Sequence, residues 1–250
     1  MRTLKITLAY DGSDFHGWQV QPERPTVQGT LAAAIERVTG CQVLPQGSGR
    51  TDAGVHALAQ VASCQIDAGI PTENLARALN HVLPPAIRVL SVEAAAPEFH
   101  ARRSARAKTY RYRIYRGEIC SPFLGRYVCH HPFPLNESAM GEAADVIIGE
   151  HDFTSFAAVD PERGREEQEA SNVRTIYSSE WRREGDESTF TVRGSGFLHH
   201  MVRNLVGTLL LVGKGTLDGD GLKRILEARD RSAAGPTAPA CGLYLVSVEY

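Results

Sequence analysis

Thr3-Leu4-Lys5-Ile6-Thr7-Leu8-Ala9-Tyr10 alternates polar and apolar side chains, so Leu4, Ile6, Leu8 and Tyr10 share one face at a period of two. That period marks a strand with one buried side, and it speaks against a cleaved leader at this position. Working outward, Thr26 is placed to cap a helix whose Val27, Leu31, Ala34, Ile35 and Val38 form one stripe, ended by Gly40. A strand over 57–66 follows. A second helix opens at Thr72, carries Leu75, Ala78, Leu79 and Val82, and stops at Pro84-Pro85. Strands are expected at 87–92 and 109–115. Beyond a proline-rich connector at 122–134, the spacing predicts a helix over 136–148 and strands over 175–182 and 189–193. It then predicts a long helix over 198–212, a shorter one capped by Asp218 or Asp220 and ending near 228, and a closing strand over 243–248. Residues 160–171 are acidic and lack a period, as in a surface loop. Strands and helices mixed in this way predict an α+β fold, helices on a mostly antiparallel sheet, in two blocks over 1–105 and 106–250.

With 250 residues, 42% hydrophobic and 22% charged, the chain is long enough for a real core and is neither disordered nor collagen-like. Its longest nearly apolar run, 205–212, falls far short of the roughly 20 residues that span a bilayer, so no membrane partner is expected. Cys41, Cys64, Cys120, Cys129 and Cys241 are scattered, with no CxxC pair. Neither a disulfide framework nor a zinc knuckle is indicated, and a reducing, cytoplasmic setting is the simplest. The net charge of −2 hides a split: residues 1–117 hold 14 Lys/Arg against 9 Asp/Glu, and the remainder is acidic. Residues 100–116 carry seven of those cations and no acid, interleaved with Tyr110, Tyr112 and Tyr115. Such a run is either a solvated face or a surface that tracks phosphates and stacks on unpaired bases.

Several tempting motifs fail. Residues 207–214 resemble a phosphate loop, but five residues separate the glycines and Gly215 stands where a magnesium-binding hydroxyl belongs. The His130-His131 and His199-His200 pairs suggest a metal. Adjacent histidines on a helix point about 100° apart, however, whereas helical zinc ligands sit four residues apart. No metal is expected. Gly47-Ser48-Gly49-Arg50-Thr51-Asp52-Ala53-Gly54-Val55-His56 stands out instead, because its glycines let backbone approach a ligand around one acid and one arginine. An ordinary Asx turn also accounts for this segment. In the long helix, Arg203 lies among Met201, Val202, Leu205 and Val206, and a guanidinium there calls for a carboxylate. Gly207, one turn on, clears that face for another backbone, and His199, one turn before, is placed on it too. A structural ion pair is the alternative to an arginine that keeps a nucleophilic acid ionised.

Tyr10-Asp11-Gly12-Ser13, Gly17-Trp18-Gln19, the 47–56 run and Phe99-His100-Ala101-Arg102 resemble the tRNA pseudouridine synthase A family. So do Lys108-Thr109-Tyr110-Arg111-Tyr112, His151-Asp152-Phe153-Thr154-Ser155-Phe156, residues 196–204 and Gly242-Leu243-Tyr244-Leu245. The motifs occur in order from Leu4 to Tyr250. The resemblance implies isomerisation of uridine to pseudouridine at positions 38, 39 and 40 of the tRNA anticodon stem-loop. It also implies a homodimer of two-domain subunits, each built of α/β-sandwich halves around a central antiparallel sheet with the active-site cleft between them. Neither cofactor nor metal is implied. Position by position, Asp52 becomes the nucleophile, Tyr110 lies against the base, Arg203 pairs with the acid and Leu243 lines the uracil pocket. Arg50 is a second group able to keep Asp52 charged. Arg24, Arg102, Arg103, Arg106, Arg111 and His200 are candidate RNA contacts. A non-catalytic RNA-binding α+β module, with Tyr110 and Tyr112 stacking bases, is the rival reading.

Overall fold

The computed structural model describes residues 1–159, 171–218 and 220–250; the acidic segment therefore lies, apart from Ser171, outside the described residues. In chain order the elements begin with β1 (Arg2–Tyr10), α1 (Val27–Thr39), β2 (Gln46–Gly47), β3 (His56–Ile66), α2 (Thr72–Val82) and β4 (Ile87–Ala95). Then come β5 (Ala107–Tyr115), β6 (Cys129–His130), α3 (Glu137–Asp145), β7 (Gly149–Asp152), β8 (Val173–Glu184) and β9 (Glu187–Gly194). Helices α4 (Met201–Gly213) and α5 (Gly221–Ala228) and strand β10 (Leu243–Glu249) complete the set. The chain divides into two compact units, one of Met1–Lys108 with Tyr244–Tyr250 and the other of Thr109–Leu243.

In unit one the strand order is β4-β1-β3-β10, with the short β2 also on β3. β1 lies antiparallel between β3 and β4, and β10 joins β3 in parallel through Tyr244 opposite His56. The period-two face is buried as the alternation requires: Leu4, Ile6, Leu8 and Tyr10 are all inside. α1 starts where Thr26 accepts a hydrogen bond from the Gly29 N–H and ends at Gly40, whose φ of +73° is the left-handed cap that glycine takes without strain. Leu31, Ala34 and Ile35 of α1, with Leu75 and Leu79 of α2, supply the helical side of the core.

In unit two the order is β5-β9-β8-β7, with β6 parallel on β5. β8 and β9 form a hairpin closed between Glu184 and Glu187. α4 is the core helix: all of it except Arg203 and Leu211 is buried. It begins three residues later than the periodicity suggests, because His200 takes a left-handed φ of +58° just before it. His199 consequently lies in the turn before the helix and not within it. α3 likewise runs shorter than expected, and its N-terminus is fixed by Asn136, which accepts from the Ala139 N–H, and by Glu137. The Glu137 carboxylate accepts from Arg116 Nη1, Ser188 Oγ (3.0 Å), Arg183 Nη1 (3.2 Å) and Trp181 Nε1 (3.3 Å), tying the helix to the sheet. α5 starts at Gly221 with neither Asp218 nor Asp220 giving a side-chain cap; Asp218 pairs with Arg224 instead. Among the described residues no helix is long and apolar enough to cross a membrane.

Candidate active site

The glycine-framed loop is fixed almost residue by residue. A methyl group on Gly47 would meet Trp18 Cε2 at 2.5 Å, so only glycine admits the indole here. Ser48 is fully buried; its N–H donates to the Val61 carbonyl at 2.7 Å and its hydroxyl to Gln60 Oε1 at 2.6 Å. Gln60 returns Nε2 to the Gly49 carbonyl at 3.0 Å, and Lys108 Nζ donates to the Ser48 carbonyl at 2.6 Å. The Thr51 carbonyl accepts the Trp18 N–H at 3.0 Å while its hydroxyl meets the Tyr10 phenol at 2.8 Å. Burial pushes that phenol up to about 12, so it stays a neutral hydrogen-bonding group.

Asp52 opens the exit from the loop. Its carbonyl accepts the Val55 N–H at 3.1 Å, and Gly54, at φ +79°, supplies the left-handed residue that the turn needs. The following backbone is clamped from the other side. A methyl on Gly12 would lie 2.0 Å from the Val55 carbonyl oxygen, and one on Gly17 would lie 2.5 Å from that of Thr51. His56 is buried, accepts the Gly12 N–H at Nδ1 (3.1 Å), lies 3.2 Å from Asp11 Oδ1 and stacks on Tyr244 with ring centroids 4.8 Å apart. Asp52 is half-buried on a backbone that cannot shift independently of its neighbours, and Arg50 beside it is exposed. Such preorganisation is what a reacting carboxylate needs.

Unit two holds the other group of residues. Tyr110 is buried and meets Phe197 edge-on at 4.9 Å. Arg203 is less deeply buried than its apolar neighbours imply: it is the half-exposed residue of α4's first turn, and its Nε donates to the Ala238 carbonyl at 2.8 Å. Gly207 is placed as anticipated, since a methyl there would meet the Pro236 carbonyl oxygen at 1.7 Å. Leu243 is buried, and the His199 and His200 rings lie 4.0 Å apart.

The basic-aromatic run needs correction. Strand pairing sorts it by alternation, and Tyr112 points inward with no exposed surface, its hydroxyl donating to the Pro239 carbonyl at 2.8 Å. Burial pushes that phenol far up, and Tyr112 cannot stack on a base. Arg113 is held by Glu187 through two bonds of 2.6 and 2.7 Å, and the buried Arg116 by Glu137. Arg102, Arg103, Arg106 and Arg111 remain exposed, as does Arg24. The His100 imidazole is shifted down, first by burial and then by the Arg103 and Arg102 charges beside it. Trp18, Gln60, His56 and Lys108 were missed as loop supports. For Trp18 the signal was present, since an apolar ring beside a glycine marks a close backbone approach.

The family model described as tRNA pseudouridine synthase matches residues 6–102 and 143–250, a span that includes the Asp52 loop and α4. The chain is 53% identical over 250 residues to a tRNA pseudouridine synthase A of Solibacter usitatus, covering the whole of both chains. It is 49% identical over 253 residues to the one of Moorella thermoacetica and 45% over 250 residues to that of Brevibacillus brevis, again over the whole of both.

Proposed function

The chain belongs to the tRNA pseudouridine synthase family, and from that premise we propose that it modifies positions 38, 39 and 40 of the anticodon stem-loop with Asp52 as nucleophile. It is an isomerase that makes pseudouridine in tRNA. The N1–C1′ glycosidic bond breaks, the uracil turns, C5 joins C1′, and the proton lost from C5 is balanced by the one gained at N1. No redox equivalent or phosphate energy is consumed.

The observation that carries the assignment of Asp52 is its loop: the one acid of residues 47–56, on a backbone pinned by Trp18, Gln60 and Lys108 and next to a Thr51 hydroxyl held by Tyr10. Attack at C1′ or at C6 of the uridine uses the same ionised carboxylate. Arg203 is assigned to hold that charge, with Arg50 as the second cation. Tyr110 is assigned to the face of the base and Leu243 to the pocket wall that retains the uracil once it is detached. Unstacking the target uridine costs a few kcal/mol, offset by phosphate contacts from Arg24, Arg102, Arg103, Arg106, Arg111 and His200. A homodimer in the cytoplasm, acting without cofactor or metal, completes the reading.

Asp52→Asn tests it. Tritium release from C5-labelled tRNA is expected to vanish while tRNA affinity stays within about tenfold of wild type, a change of about 1.4 kcal/mol or less. Near-normal turnover in this variant removes Asp52 from the chemistry.

A further inference from the structure

Along the outer side of α1 in unit one runs an open groove of about 450 Å³. Its floor is one helical face, Thr26, Gly29, Thr30 and Ala33, spaced by three and four residues and bearing nothing larger than a threonine. Val20 and Val82 form the walls, and the groove is lined by two arginines, Arg24 before the helix and Arg37 in its last turn, with no acid among the lining residues. The nearest helical acid, Glu36, is turned aside, its Oε1 accepting from Gln42 Nε2 at 2.7 Å. Arg37 lies eleven positions beyond Thr26, a span of about 16 Å at 1.5 Å per residue.

The helix N-terminus itself has no spare donors to offer an anion. The Val27 N–H goes to the Gly17 carbonyl, that of Gln28 to Trp18, and that of Gly29 to the Thr26 hydroxyl. Anion attraction in the groove therefore rests on the two guanidinium groups, and the small-residue floor leaves room for a sugar edge between them. The same segment that lines the groove, through Val20, Arg24 and Thr26, clamps the Asp52 loop a few residues earlier through Gly17 and Trp18. A strand lying in the groove thus rests on the same segment that holds the Asp52 loop.

We propose that this groove is a binding site for the ribose-phosphate backbone of the substrate RNA, with Arg24 and Arg37 each meeting a phosphate. The inference rests on the tRNA-modifying function and assigns Arg37 a part in it. The test measures affinity for an unmodified tRNA transcript across salt with the full chain, comparing wild type, Arg37→Ala, Ala33→Glu and Arg182→Ala. Arg182 is an exposed arginine on β8 paired with Glu180, so its loss changes the net charge equally without touching the groove. Arg37→Ala is expected to lower the salt slope by about one, which makes the fall in affinity between 50 and 200 mM salt roughly threefold to fourfold shallower. Ala33→Glu, at an exposed helical position, is expected to weaken binding at least as much. Slopes and affinities of Arg37→Ala and Ala33→Glu equal to those of Arg182→Ala overturn the groove. A wild-type protein that binds tRNA but forms no pseudouridine overturns the proposed function instead, whatever the groove variants do.

Discussion

The Asp52 loop is held by donors and acceptors: Gln60, Lys108 and the Trp18 N–H each grip a different backbone carbonyl, and the Tyr10 phenol meets the Thr51 hydroxyl. The Arg203 helix is held by burial: eleven of the thirteen residues of α4 are inside, and close approach at Gly207 lets the 236–238 backbone lie on it. Hydrogen bonds are directional, so a fault in the first region moves a side chain by fractions of an ångström and leaves the core intact. Apolar packing is non-directional and large in sum, so a fault in the second appears as lost stability.

Gly207→Val is expected to have the largest effect. Its added carbons overlap the Pro236 carbonyl, and a loss of about 3 kcal/mol or more in unfolding free energy follows, read from urea denaturation. A near-normal midpoint would show that α4 is held less rigidly than burial implies. Gly12→Ala comes next, because its methyl meets the Val55 carbonyl oxygen and displaces the Asp52 turn. A fall in kcat of about a hundredfold is expected with a smaller stability change; the reverse ranking would erase the contrast between the regions. Gln60→Leu removes the side chain that links Ser48 and Gly49, leaving buried polar groups unsatisfied at a cost of about 1–3 kcal/mol. Its activity loss is expected to exceed that of an apolar core substitution of equal stability cost.

The smallest effect concerns pH. Burial lowers the His131 imidazole in unit two, with the Lys214 and Arg116 charges adding to the shift. A base whose folded value is lowered is neutral in the fold, so its contribution is complete above the ordinary imidazole value of about 6.5 and declines as the pH falls through it. His131→Gln is expected to flatten the dependence of the denaturation midpoint between about pH 7.5 and 5.5. An unchanged slope would assign that dependence to other groups.

The contrast between the regions also explains what could be read from the residues alone. The period-two face of β1, the capped stripe of α1 and the apolar run of α4 are repeating patterns, and their signal grows with length. β2, β6 and β7 span two to four residues, too short to show a period, and the left-handed turn at His200 leaves no mark in a side-chain pattern. Asp52 drew attention because glycines frame it, and its assignment as nucleophile came from the family resemblance. Gln60 and Lys108 were not legible, because a polar side chain in a strand says nothing of which distant carbonyl it will meet. In the basic run the alternation was available: applied to residues 110–115, it turns Tyr112 inward and Arg111 and Arg113 outward, as found.

Strand β10 has a consequence for synthesis on the ribosome. Tyr244 and Leu245 pair in parallel with His56 and Ala57 of β3, and β3 with its antiparallel neighbour β1 and with β4 lies within the first hundred residues. The nascent amino-terminal region must therefore wait, with His56 and Ala57 unpaired on that side, while 135 further residues are translated. During that interval an open sheet edge is exposed beside the turn that carries Asp52, a window in which chaperone capture or early engagement of RNA would matter most.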